Sequence, residues 1–170
     1  MNARSGDSED PVPFRHLRTQ RPVLLLDIDG VLNPLSHDRP DGWGDFQSAR
    51  IGQYSMWLSE SMGQALRDLD ATVLWCSTWC DDPHELVEIA RHLGGLCPLW
   101  FGRWGQEFDW KTDMVRAALT TFPLVVWIDD DEPVPSGMGT DRLIRITPSA
   151  TKGLQPADIV QINDRLYSPA

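Results

Sequence analysis

The stretch VLLLDIDGVL, residues 23–32, decides how this chain is read. Four consecutive apolar residues, 23–26, suit a strand buried on both faces of a parallel sheet, because a half-exposed strand would alternate polar and apolar positions. The run stops abruptly at Asp27-Ile28-Asp29-Gly30. In an extended chain, residues two apart share a face at roughly 6 to 7 Å spacing, so one substrate atom can meet both Asp27 and Asp29. Gly30 lets the backbone come close to such an atom and turn away sharply.

Working outward, residues 33–46 are rich in Pro, Gly and Asp and are predicted to be irregular. Ile51, Tyr54, Leu58, Met62, Ala65 and Leu69 recur at helical spacing and predict a first helix over 51–69. A second apolar strand is predicted over 72–76, ending in Ser77 and Thr78. Asp82-Pro83-His84-Glu85 reads as a capping box with proline in the first turn. The helix it opens runs to about residue 93, where Gly94 and Gly95 stop it. A shorter strand, interrupted by Pro98, is predicted over 96–101. Met114, Val115, Ala118 and Leu119 share one side of a helix over 111–122, which leads into an apolar strand over 124–128 ending in Asp129, Asp130 and Asp131. A strand over 143–146 follows, and Pro156 opens a last helix with Ile159, Ile162 and Leu166 on one face. Strands alternating with helices predict a three-layer, Rossmann-like α/β fold around a mostly parallel five-stranded sheet.

Length allows one domain with a single core, expected over residues 21–170, while residues 1–20 have the composition of a disordered arm that adds no core. A net charge of -10 argues against a chain that is attracted as a whole to nucleic acid or anionic membrane, leaving only a local basic rim open. Three cysteines, Cys76, Cys80 and Cys97, follow no metal or redox spacing. With no export signal or membrane-length apolar run, the expected location is the cytoplasm.

In an open parallel sheet, ligands bind beyond the carboxyl ends of the strands. Here those ends carry Asp27 and Asp29, then Ser77 and Thr78, then Asp129 and Asp130, with Lys111 opening the helix before the last strand of the three. Of the 15 basic residues only Lys111 and Lys152 are lysines, and Lys152 reads as loop surface. Gathered carboxylates raise one another's pKa unless a cation neutralises them. A hard, oxygen-liganded ion such as Mg²⁺ answers that need, and phosphate chemistry supplies it naturally. A lone D-x-D-G also occurs in calcium loops and ordinary turns; the ordered set is what carries the reading.

Asp27-Ile28-Asp29-Gly30-Val31-Leu32 resembles the first motif of the haloacid dehalogenase (HAD) superfamily, and Val73-Leu74-Trp75-Cys76-Ser77 resembles the second. Lys111 fits the third and Val125-Val126-Trp127-Ile128-Asp129-Asp130 the fourth. The Trp-x-Ser-x-Trp and Trp-Ile-Asp-Asp forms are more loosely similar to small superfamily domains associated with bacterial RNA-repair proteins. The resemblance implies a HAD-like core and a phosphatase using Mg²⁺ and an aspartyl-phosphate intermediate. In that scheme Asp27 is the nucleophile and Asp29 the general acid and base. Ser77 and Lys111 bind the phosphoryl group, with Gly30 and Thr78 beside them. The metal falls to Asp27, Asp29 through its backbone carbonyl, and Asp129 or Asp130. Ser77 and Thr78 are adjacent and either could supply the hydroxyl, although Ser77 sits better at the end of the apolar run.

Two other readings stand beside this one. A receiver-type phosphoacceptor switch places its acceptor after the third strand, where residues 99–104 hold no Asp. A non-catalytic HAD-like interaction domain would keep the fold and lose the activity. Trp57, Trp75 and Trp127 are expected in the core; Trp43, Trp79, Trp100, Trp104 and Trp110 lie nearer loops, and His84 and His92 on a helix surface. The intervals 32–72 and 78–111 are too short for a cap domain, the first leaving only an irregular flap. An uncapped site favours a substrate that covers it, with a phosphorylated polynucleotide end ranked slightly above a phosphoprotein and a small metabolite third. Arg39, Arg50, Arg103 and the arginines of the arm could line the mouth.

Overall fold

The computed structural model describes residues 14, 20–100, 110–131, 133, 134, 137, 138 and 141–167. Six strands and four α-helices are formed by these residues. Strands β1 (Val23–Leu26), β4 (Thr72–Trp75), β5 (Val125–Ile128) and β6 (Leu143–Ile146) make a parallel four-stranded sheet in the order β4-β1-β5-β6. Strands β2 (Gln47–Ile51) and β3 (Tyr54–Leu58) form a separate antiparallel pair. The helices are α1 (Glu60–Arg67), α2 (Pro83–His92), α3 (Trp110–Thr121) and α4 (Pro156–Tyr167).

Both faces of the sheet are covered, which is why its central strands are apolar throughout. Val23, Leu25, Val125 and Trp127 turn to one face, where Met114, Val115, Ala118 and Leu119 of α3 meet them. Leu24, Leu26, Val126 and Ile128 turn to the other, against Met62 and Leu66 of α1, Leu86 and Ile89 of α2 and Ile162 of α4. Replacing any of these wholly buried leucines by alanine would cost about 2–5 kcal/mol.

Four expectations need correction. The strand expected over 96–101 shrinks to a single bridge between Leu74 and Leu99. Leu99 donates to the Val73 carbonyl at 2.8 Å and accepts from the Trp75 N–H at 3.0 Å, while Pro98, lacking an N–H, cannot extend the ladder; residue 101 lies outside the described residues. Among the described residues the sheet therefore has four strands, not the five expected. The helix expected over 51–69 is instead a hairpin followed by the short α1. Its helical spacing coincides with a period of two: Ala49, Ile51, Met56 and Leu58 are buried, with exposed or half-buried residues between them. Gly52, at φ +54, opens the two-residue turn, a conformation that the favoured hairpin turns demand and a helix interior does not. The hairpin takes only residues 47–50 of the expected irregular flap, and residues 33–46 are irregular as expected. Finally, Phe14, within the arm expected to add no core, is buried against Phe122, their rings 5.8 Å apart; the rest of that arm except Gln20 lies outside the described residues.

The second helix follows its sequence signals closely. Asp82 caps α2, its side chain accepting from the N–H groups of His84 and Glu85, and Gly94 and Gly95 follow its end at positive φ. No described helix is long and apolar enough to cross a membrane.

Candidate functional site

The register of the sheet levels its strand ends. Leu26 pairs with Trp75 on one side and with Ile128 on the other, so Asp27 emerges beside Cys76 and Asp129. The Asp27 N–H donates to the Ile128 carbonyl at 3.1 Å and the Cys76 N–H to that of Leu26 at 2.8 Å. From β1 the chain passes to β4 on one side, then crosses back to β5 on the other, which opens a crevice above β1. Asp27, Asp129 and Asp130 each bring a carboxylate oxygen into that crevice, all within 4.8 Å of one another.

Lys111 stands in the first turn of α3, and packing of α3 against the sheet drives its side chain between two of these acids. Its Nζ lies 2.5 Å from Asp27 Oδ2 and 2.7 Å from Asp129 Oδ2. The other Asp27 oxygen accepts from the Ile28 N–H at 2.7 Å. Asp129 is wholly buried; its Oδ1 accepts from the Asp131 N–H at 3.1 Å and lies 3.6 Å from Arg145 Nη2. Arg145 in turn lies over the Trp127 ring, 4.3 Å from its centroid. Burial pushes the Asp27 carboxyl up to about 6, against the pull of Lys111 and with a further rise from Asp129. Burial would lower the Lys111 ammonium, but Asp27 and Asp129 outweigh it and hold it above its ordinary value. Asp130 is also raised, chiefly by burial.

Asp29 faces a different set of groups. Its Oδ1 accepts from Asn33 Nδ2 at 2.8 Å and its Oδ2 from Trp79 Nε1 at 2.8 Å. Its side chain is thus engaged elsewhere and is not a member of the three-carboxylate group.

Ser77 is buried, 1% exposed, and its Oγ makes no hydrogen bond of ordinary geometry. Its nearness still helps to hold the Asp27 carboxyl down. Thr78 starts a 3-10 turn, Thr78–Asp81, and is exposed, so the structure puts Ser77 and not Thr78 inward. Gly30 has φ +71, and a Cβ there would fall 2.2 Å from the Asp130 carboxyl, so its missing side chain is what lets Asp130 reach the group. Asp131 and Lys152 are exposed. Arg39 and Arg50 are exposed and donate to the carbonyls of Gly44 and Gly52, while Arg103, Trp104 and the arm's Arg4, Arg15 and Arg18 lie outside the described residues. Trp110, expected near a loop, is the buried first residue of α3.

Among the described residues, Lys111 and Arg145 face this group of three acids, and Ser77 is buried beside Asp27. The donors are carboxylate oxygens, which suit a hard ion such as Mg²⁺. Sequence reasoning missed Asn33, Trp79 and Arg145. An arginine in a half-buried strand, LIRI, was the available signal for the last, since such a charge needs a partner. No family model, no curated protein and no solved structure matches this chain.

Proposed function

We propose that this chain is a Mg²⁺-dependent phosphohydrolase of HAD type, a capless Rossmann-like core acting through an aspartyl phosphate on Asp27. The observation that carries this reading is the gathering of Asp27, Asp129 and Asp130 around Lys111, with the buried Ser77 beside Asp27. In this reading the buried Ser77 hydroxyl donates a hydrogen bond to the substrate. A phosphoryl oxygen would accept that bond, with Lys111 pairing to the same group.

In this reading Asp27 attacks phosphorus and displaces the leaving oxygen, splitting one hard displacement into two. Asp29 gives that oxygen a proton and then takes one from the water that attacks the acyl phosphate. Lys111, held by Asp27 and Asp129, steadies the nucleophile and pairs with the phosphoryl group. Mg²⁺ would be held by Asp27, Asp129 and Asp130, with the Asp29 carbonyl as a further donor, and would neutralise charge on the transferring group.

The test is a phosphomonoester screen with and without Mg²⁺, taking Asp27→Asn as the nearly isosteric control. Turnover should require Mg²⁺, fall in chelator and in excess Ca²⁺, and drop by about 10³-fold or more in Asp27→Asn. Near-parental rates in that variant with its fold intact would overturn the assignment.

A further inference from the structure

Both oxygens of the Asp29 carboxylate are occupied, and both donors are held in turn by the β2–β3 hairpin. Asn33 donates to Oδ1 through its amide nitrogen, while its amide oxygen accepts the N–H of Trp57 in β3 at 2.9 Å. Trp79 donates to Oδ2 through its indole nitrogen, and its ring meets the edge of Tyr54, the first residue of β3, with centroids 5.2 Å apart at 74°. Neither donor group can accept a hydrogen bond in exchange. Two separate arms therefore run from one strand to one carboxylate.

We propose that Asn33 and Trp79 are positioning residues for Asp29, and that the hairpin sets where this acid and base stands relative to Asp27. The inference rests on the proposed function for the proton transfer it assigns to Asp29; the geometric half of it does not. Asp27 needs no such support, because Lys111 and the Ile28 N–H already engage its two oxygens. Asp29 lies past the end of β1 and has only a bridge to Asn33 beside it, so its aim depends on these side chains. A small misplacement of a catalytic group is enough to slow a reaction severalfold or more.

The experiment uses the full chain and the variants Trp79→Phe, which keeps the ring and loses the N–H, and Asn33→Asp, which keeps the acceptor for Trp57 and replaces the donor. The ratio kcat/KM is measured with p-nitrophenyl phosphate, whose leaving group needs little protonation, and with an alkyl phosphate, whose leaving group needs much. Each variant should lose about tenfold or more on the alkyl ester and less than about threefold on the aryl ester. Equal losses on both, or no loss on either, would overturn the positioning role. In parallel, the Trp79 indole proton is followed by nitrogen-proton NMR. It should be protected from exchange in the parent and in Asp27→Asn, and exposed in Asp29→Ala. An indole proton indifferent to Asp29→Ala overturns the inference and leaves the proposed function standing. A parent with no phosphatase activity overturns the proposed function, and with it the role given to Asp29, whatever the indole shows.

Discussion

Lys111 separates two effects that a single substitution usually mixes. Its ammonium is the shared partner of Asp27 and Asp129, with side chains 13%, 10% and 0% exposed, so removing it takes the ion-pair partner from buried Asp27 and leaves Asp129 to Arg145. Breaking such a pair from one side costs about 3–5 kcal/mol. Lys111→Ala should therefore lower the stability of the metal-free protein by that order, lose most activity, and recover part of its stability when Mg²⁺ is added. Lys152 is exposed in a turn, where only its backbone groups bond locally, so Lys152→Ala should leave both activity and melting temperature near the parent values. Thermal melts of the two variants with and without Mg²⁺, beside their rates, check this; the reverse ranking would move the lysine role to Lys152.

The first helix, α1, shows how an element depends on residues outside its own run. Ser59 caps α1 by accepting from the Met62 N–H at 3.1 Å, and Asp45 braces the cap, accepting from the Ser59 hydroxyl at 2.5 Å and the Ser61 N–H at 2.8 Å. Partial burial pushes the Asp45 carboxyl up, but those two hydrogen bonds outweigh it and hold it below its ordinary value of 3.8. A carboxyl lowered on folding adds stability that is fully present above the unfolded value and is lost as pH falls through the folded one. Asp45→Asn should accordingly flatten the acid limb of stability below about pH 4 and change little near neutrality beyond the lost brace. Ser59→Ala should cost about 1 kcal/mol at neutral pH. Urea denaturation of both variants at several pH values measures the two effects separately.

At the scale of the molecule, what matters is which described segments belong to the core. The hairpin and α1, which fill the interval after β1, bury Ala49, Ile51, Met56, Leu58, Met62 and Leu66 in the same core as the sheet, so that segment is body and not a cap. Among the described residues no separate unit follows β4 either. Under the proposed function, a site without a cap domain favours a substrate that brings its own cover, with a phosphorylated polynucleotide end ranked slightly above a phosphoprotein. The rate on a 5′- or 3′-phosphorylated oligonucleotide should exceed that on the matching free nucleotide by about tenfold or more in kcat/KM, and the excess should shrink with salt. A free nucleotide or sugar phosphate turned over far better than any macromolecule would reverse that ranking.

Strands β1, β5 and β6, helices α2, α3 and α4, and the order of acid, hydroxyl, lysine and acid pair are legible in local sequence. Each depends on a run, a period or a cap that neighbours in the chain supply, as VLLL, VVWI and Asp82-Pro83 do. What the chain could not show locally is anything shared between segments far apart. The hairpin at residues 47–58 carries two periods at once, and only contact with the core decides that the period of two prevails. The choice of Ser77 over Thr78 comes from the chain turning into a 3-10 turn at the sheet edge. The grouping of Asp27 with Asp129 and Asp130, and the turning of the Asp29 side chain to Asn33 and Trp79, follow from strand register and from side chains up to 50 positions away. Sequence determined which chemical groups reach the carboxyl edge of the sheet, because strand ends are local events. Tertiary structure decided which of them share a partner there, because charge pairing and burial are settled by distance in space and not along the chain.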